Sequence, residues 1–168
     1  YLQLREELEK KGYHFQTQTD TEIAAALIDS CYTGSPLEAI RKACAGMEGA
    51  YAFAILFDGH PNCVYGVRLG SPLVAAVDET GAYLASDLAA ILPYTDRYLL
   101  PEEGELLALE NGRLTCYDSD LQPMEPVWKQ AHWSVEQAQK EGYRYFMEKE
   151  IHEQPQALRR TISPRIED

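Results

Sequence analysis

Positive charge is scarce in this chain. Fifteen Lys and Arg stand against 27 Asp and Glu, a formal net charge of −12. A surface for nucleic acid needs clustered Lys and Arg to neutralise phosphates, so that class of partner is excluded, and anionic membrane surfaces are disfavoured for the same reason. No apolar run approaches the ~20 residues needed to span a bilayer, and no secretory signal stands at the start. Cysteine is sparse as well: Cys31, Cys44, Cys63 and Cys116 are spread out with no CxxC pair, which reads as reduced thiols of a cytoplasmic protein. His14, His60, His132 and His152 are dispersed, and none falls in HExxH or comparable spacing, so no metal site is expected. Gly46-Met47-Glu48-Gly49 has neither the spacing nor the lysine of a phosphate loop, and no cofactor is expected. An initiating Met is also missing. The chain begins at Tyr1, from which removal of upstream sequence is expected.

What remains is ordinary for a globular domain: 168 residues, 45% hydrophobic and 25% charged, enough to bury one core. Leu4 and Leu8 share a face of an amphipathic helix over residues 2–11, with Gly12 as its stop. A short extended run over 13–17, read as a strand, leads to a second helix from Asp20 to about Tyr32, with Ile23, Ala24, Leu27, Ile28 and Cys31 on its apolar side. Gly34 breaks it. Ser35-Pro36-Leu37-Glu38 restarts a helix with a cap, a proline at the first position and a glutamate three after the cap; Leu37, Ile40 and Cys44 form its buried stripe. Residues 50–57 are apolar on both faces, which predicts a strand covered by a sheet on one side and helices on the other. Three hairpins follow: 50–57 with 63–68 across Asp58-Gly59, 73–77 with 83–85 across Glu79-Thr80-Gly81, and 105–109 with 113–117 across Asn111-Gly112. Helices return from Ser134, the last spanning 143–153 and ending at Pro155. Helices, then antiparallel hairpins, then helices predict an α+β fold.

Thr19 with Glu22 reads as a capping box, each side chain satisfying a backbone donor at the other's end, and Asp20 falls in the first turn, where the helix dipole favours a carboxylate. Spacing alone serves two readings of Asp20: an ordinary helix start, or a carboxylate facing a pocket and holding a ligand ammonium. Nucleophilic chemistry finds no support. Cys31 and Cys44 continue apolar stripes, Cys63 and Cys116 lie in predicted strands without a neighbouring His, and Tyr1 has neither thiol nor aliphatic hydroxyl. Ser86-Asp87 reads as the cap of a short helix over 88–92, and Gly70-Ser71-Pro72-Leu73 as a bend between strands.

Five segments occur in order: Thr19-Asp20-Thr21-Glu22, Gly49-Ala50-Tyr51-Ala52, Gly70-Ser71-Pro72-Leu73, Ala85-Ser86-Asp87, and Lys149-Glu150-Ile151-His152-Glu153-Gln154-Pro155. Together they resemble the glutaminase domain of the glutamine–fructose-6-phosphate aminotransferases, which are class II glutamine amidotransferases. The resemblance runs from Tyr1 to about Ile166, and Lys149 to Pro155 is its most specific part. It implies an Ntn-hydrolase architecture, two stacked antiparallel sheets between helical layers. It implies that Asp20 binds the α-amino group of substrate glutamine and that the Gly70–Leu73 bend supports the site. The family's N-terminal Cys nucleophile, carboxylate-binding segment and oxyanion hole would lie upstream of Tyr1, so no catalytic residue is expected within the chain. Residues 1–155 then correspond to the latter two-thirds of the glutaminase domain, and 156–168 to the start of a linker toward a sugar-isomerase domain in cis, which Arg159, Arg160 and Arg165 would meet through its carboxylates or phosphates. A homo-oligomeric parent enzyme of amino-sugar biosynthesis is implied as well. Two other readings remain: another class II amidotransferase, or a non-catalytic remnant acting as a binding module.

Overall fold

The structure is a computed structural model that describes residues 2–131 and the backbone of 142–166, with side chains to 163. Two compact units divide at Gln130. The first opens with three helices, α1 (Leu2–Lys10), α2 (Asp20–Ser30) and α3 (Pro36–Cys44). Gly12 ends α1 with a positive φ of 94°. Its amide donates to Glu9 O, and the Tyr13 amide to Leu8 O, the two bonds of a Schellman cap. Ser35 caps α3, its hydroxyl accepting from the Glu38 amide at 3.4 Å, with Pro36 at the first position.

Nine strands follow: β1 (Tyr51–Leu56), β2 (Cys63–Leu69), β3 (Val74–Val77), β4 (Ala82–Ala85), β5 (Arg97–Leu99), β6 (Leu106–Glu110), β7 (Arg113–Tyr117), β8 (Pro123–Met124) and β9 (Trp128–Gln130). They form two antiparallel sheets, ordered β1-β2-β6-β7-β8 and β4-β3-β5-β9. The three predicted hairpins all form, β1–β2, β3–β4 and β6–β7. In the third, Glu110 faces Arg113 across Asn111 and Gly112, whose φ values are 49° and 75°. Both positive angles are what a two-residue type I′ turn demands.

Burial sorts into layers. Ile28 of α2 and Ala39, Ile40 and Ala43 of α3 pack on Cys63, Tyr65 and Val67 of β2. Between the sheets, Leu107, Leu109 and Cys116 meet Ala75, Leu73 and Leu99. On the far face of the second sheet, Val74 and Ala76 are covered by Ile91, beside a 3-10 turn (Leu88–Ala90). Asp87 caps that turn, its carboxylate accepting from the Ala89 amide at 2.7 Å. Both sheets are thus sided by alternation of side chains along each strand.

Several expectations need correction. Residues 13–17 do not form a strand: the amides of Gln16 and Thr17 donate to the Glu22 side chain instead of to a neighbouring strand. Helix α2 ends at Ser30 rather than near Tyr32. The buried stripe of α3 is Ala39, Ile40 and Ala43, with Leu37 and Cys44 only half-buried at its flank. Strand β1 is covered less than its composition suggests. Tyr51, Phe53 and Ile55 pack toward the helices and Ala52 toward the second sheet, but Ala54 and Leu56 are exposed, Leu56 at 69%. The reason is position: among the described residues β1 pairs with no strand but β2, at the sheet edge.

The second unit contains α4 (Phe146–Ile166). This helix passes through Pro155, where the sequence predicted an end. A proline removes one helical donor and crowds the preceding turn; here Gln154, Gln156, Ala157 and Leu158 on either side favour helix enough to carry it on. Tyr143 stacks on His152 at 5.3 Å. The predicted helical residues between Ser134 and Glu141, and His132, lie outside the described residues. No described helix is long and apolar enough to cross a membrane.

Candidate functional site

Asp20 is the first residue of α2, and its surroundings explain why its carboxylate is left open. Thr19 is the N-cap, its hydroxyl accepting from the Glu22 amide at 3.4 Å. The reciprocal half of the predicted capping box does not form. Glu22 reaches one turn further back, accepting from the amides of Gln16 and Thr17 at 2.8 Å each and from the Thr17 hydroxyl at 2.5 Å. The Thr19 amide donates to Thr17 Oγ1 instead, at 3.2 Å. These bonds, led by that of the Thr17 hydroxyl, hold the Glu22 carboxyl below its ordinary range. From the other side Arg5 donates to Thr17 O at 3.2 Å while pairing with Glu9 and lying over the Phe15 ring. The loop before α2 is therefore stapled by Glu22 and Arg5. Asp20 takes no part; among the described residues its one hydrogen bond is a long one, from the Thr21 hydroxyl at 3.4 Å.

That open carboxylate lines a cleft of about 760 Å³. Its walls are α1 through Leu4 and Glu7, the start of α2 through Asp20 and Ile23, and the Gly46–Gly49 loop with the first residues of β1. Three carboxylates, of Glu7, Asp20 and Glu48, belong to the lining, which contains no Lys, Arg or His. With the positive end of α2 the only compensating charge among the described lining residues, the cleft favours a cationic group. Among the described residues no group of three His, Cys, Asp or Glu is placed to hold a metal ion. An ammonium, which needs acceptors at hydrogen-bond distance but no coordination sphere, suits the arrangement.

No cysteine lines the cleft. All four thiols are free, with Cys63 and Cys116 buried and Cys31 and Cys44 half-buried. Burial pushes the Cys44 thiol up, the Tyr51 hydroxyl beside it pulling weakly the other way, and pushes Cys116 up to about 11. Activation of a nucleophilic thiol runs in the opposite direction. The Gly70–Leu73 bend borders the cleft through Ala50: a Cβ added at Gly70 would sit 3.0 Å from that of Ala50. Arg159 and Arg160 on α4 are exposed; the Arg165 side chain lies outside the described residues. Sequence reasoning missed Glu7 and Glu48 as parts of the site, since each sits in an unremarkable polar stretch and only the packing of α1 and α3 brings them beside Asp20.

Comparison with known proteins adds independent findings. A family model described as "Glutamine amidotransferase domain" matches residues 1–93. The chain is 42% identical over 167 residues to the glutamine–fructose-6-phosphate aminotransferase [isomerizing] of Symbiobacterium thermophilum, and 40% identical over 162 residues to that of Aquifex aeolicus. These alignments take in 99% and 96% of the chain but 27% of each relative, so the chain spans about a quarter of their length. Among solved structures it is similar to the glutamine phosphoribosylpyrophosphate amidotransferase of B. subtilis, solved with ADP and GMP, at a TM-score of 0.60 and 26% identity, over 73% of the chain and 27% of that protein.

Proposed function

The chain belongs to the glutamine amidotransferase domain family, and from that premise we propose that it forms part of the glutamine-hydrolysing unit of an enzyme making glucosamine 6-phosphate from fructose 6-phosphate and glutamine. Its α+β fold is of the Ntn-hydrolase type. The observation that carries the reading is the open carboxylate of Asp20 in a cleft lined by three acids and no base. Asp20 accepts hydrogen bonds from the α-ammonium of glutamine. A glutamine zwitterion also needs a cation for its α-carboxylate, and its amide needs a nucleophile. Neither is among the described residues of the cleft lining; in this reading other residues of the parent enzyme supply both. The reaction is the attack of a cysteine thiolate on the side-chain amide carbon, expelling ammonia and leaving a thioester that water hydrolyses to glutamate. The ammonia then aminates the sugar phosphate in an isomerase domain of the same polypeptide, with 156–168 leading toward it. We place the enzyme in the cytoplasm, assembled as a homo-oligomer, consistent with its free thiols.

The test is glutamate release from glutamine by the full-length protein, with and without fructose 6-phosphate. Removing an ion pair to a desolvated ammonium costs on the order of 2–5 kcal/mol, so Asp20→Ala is expected to raise KM for glutamine about thirtyfold or more while glutamate release persists at saturation. An unchanged KM retires the assignment. The likeness to a phosphoribosylpyrophosphate amidotransferase favours a second reading, in which that compound rather than fructose 6-phosphate accepts the nitrogen. Lys149–Pro155 supports the sugar phosphate, and the dependence of glutamate release on one acceptor or the other decides.

A further inference from the structure

At the far end of β2 one guanidinium gathers the connection to β3. Arg68 Nε donates to Ser71 O at 2.7 Å, Nη1 to Pro101 O at 2.9 Å, and Nη2 to Glu103 Oε1 at 3.4 Å. The same Oε1 accepts the Gly70 amide at 3.1 Å, and the Gly104 amide returns to Arg68 O at 3.2 Å. A planar fork can satisfy three acceptors in fixed directions at once, as a lysine ammonium cannot. The bend so held has Gly70 at φ +67°, bridged to Tyr51, and the space beside its Cα is already taken by Ala50, whose Cβ and Cα would lie 3.0 and 3.5 Å from any Cβ there. Ala50 and Tyr51 are walls of the Asp20 cleft, and Tyr51 stacks on Phe53, a third wall residue, at 4.9 Å.

We propose that Arg68 is a positioning residue for the amino-acid site: with Glu103 it presses the Gly70 bend against Ala50 and so sets how far the β1 wall stands from Asp20. The ligand in question rests on the functional reading above; the mechanical link from Arg68 to the wall does not. A merely structural clamp would tie β2 to β3 and leave the cleft indifferent to it.

The two roles separate in the full-length protein. Gly70→Ala inserts the methyl that Ala50 opposes, moving the wall by a few tenths of an ångström, and also places a side chain at a φ of +67° that L residues rarely adopt. Misplacement on that scale is expected to raise KM for glutamine on the order of tenfold, with kcat changed by less than about twofold. Adding Ala50→Gly removes the opposing methyl and is expected to recover the part of that loss due to the contact, the backbone strain at residue 70 being common to both variants, while Arg68→Lys, which keeps the charge but not the fork, raises KM in the same sense. An unchanged KM in Gly70→Ala, or no recovery in the double variant, overturns the proposal. Amide spectra of the same proteins provide a readout that needs no turnover: resonances of residues 20–24 and 50–53 should move in Gly70→Ala and return in the double variant. If wild-type protein releases no glutamate, the functional reading fails, and the spectra alone then decide the clamp: movement with reversal upholds it, and stationary resonances overturn it.

Discussion

Glu22 accepts two backbone amides and a hydroxyl, while Asp20, two positions earlier, accepts one long bond. That division of labour is what converts an acidic helix start into a candidate site, because the carboxylate that does the structural work is not the one facing the cleft. It has a consequence for acid stability. The folded Glu22 carboxyl titrates below its ordinary value of 4.5, chiefly through the Thr17 hydroxyl, and Asp78 titrates below 3.8 through Thr80. A group depressed in the folded state stabilises at pH above its unfolded value, and that stability is lost as pH falls through the folded value. Thermal melts are therefore expected to weaken below about pH 4.5, and Glu22→Gln should flatten that limb, melting below wild type at neutral pH and converging on it in acid. A melt with the same acid limb in the variant would show that Glu22 is not its source. In the sequence the Thr19-Asp20-Thr21-Glu22 segment was readable as a helix start, and the resemblance supplied a role for Asp20. What could not be read was that Glu22 would staple residues 16 and 17, because that bond depends on a loop whose path only Arg5 and α1 determine.

Individual elements were legible wherever a local rule suffices. Gly12, Ser35-Pro36 and Asn111-Gly112 each announce a cap or turn through backbone chemistry that needs no partner, and each forms as expected. Strands β5, β8 and β9 went unforeseen because two or three residues carry no period; their existence depends on neighbours far along the chain, as in Leu99 against Trp128. The layer between the sheets is the energetic centre of the first unit. Leu107, fully buried there, is expected to cost about 2–5 kcal/mol when cut to alanine, seen as a lower Tm or denaturation midpoint; a shift under about 1 kcal/mol would mean that the sheets close over the gap. Pro155 was misread as a terminator because its local penalty, up to ~3 kcal/mol, was taken as decisive, whereas strong helix formers flank it. Pro155→Ala should raise the melting temperature of the far-UV circular dichroism signal from α4. A lower one would show that the proline serves a contact that alanine loses.

At the scale of the chain, the edge of β1, open among the described residues, is the most consequential feature. Its outward groups are unpaired among the described residues, and Leu56 stands exposed beside them. Edges of this kind recruit other strands unless charge or coverage prevents it. With a net charge of −12, repulsion between copies opposes such pairing, and salt screens repulsion. Association measured by sedimentation velocity is thus expected to grow with ionic strength and to fall in Leu56→Lys. Salt-independent association in that variant would point to another surface. Composition foretold that this strand is apolar on both faces, but not that it would stand at an edge, since edge or centre is decided by what pairs with it.

Helix α4 carries two prolines, Pro164 in its last turn and Pro155 near its middle, with nine residues before Pro155 and eleven after it. A helix of one piece opens from its ends as a single cooperative unit, whereas a missing amide donor interrupts that cooperativity at a fixed point. Each half is shorter than the ~12–15 residues at which a helix becomes marginally stable by itself in water. The helix should therefore exchange its amide hydrogens in two blocks with separate protection, one answering to whatever the stretch before Pro155 touches and the other to whatever the stretch after it touches. Read along the chain, α4 is two reporters joined end to end, and an event at one end need not be registered at the other.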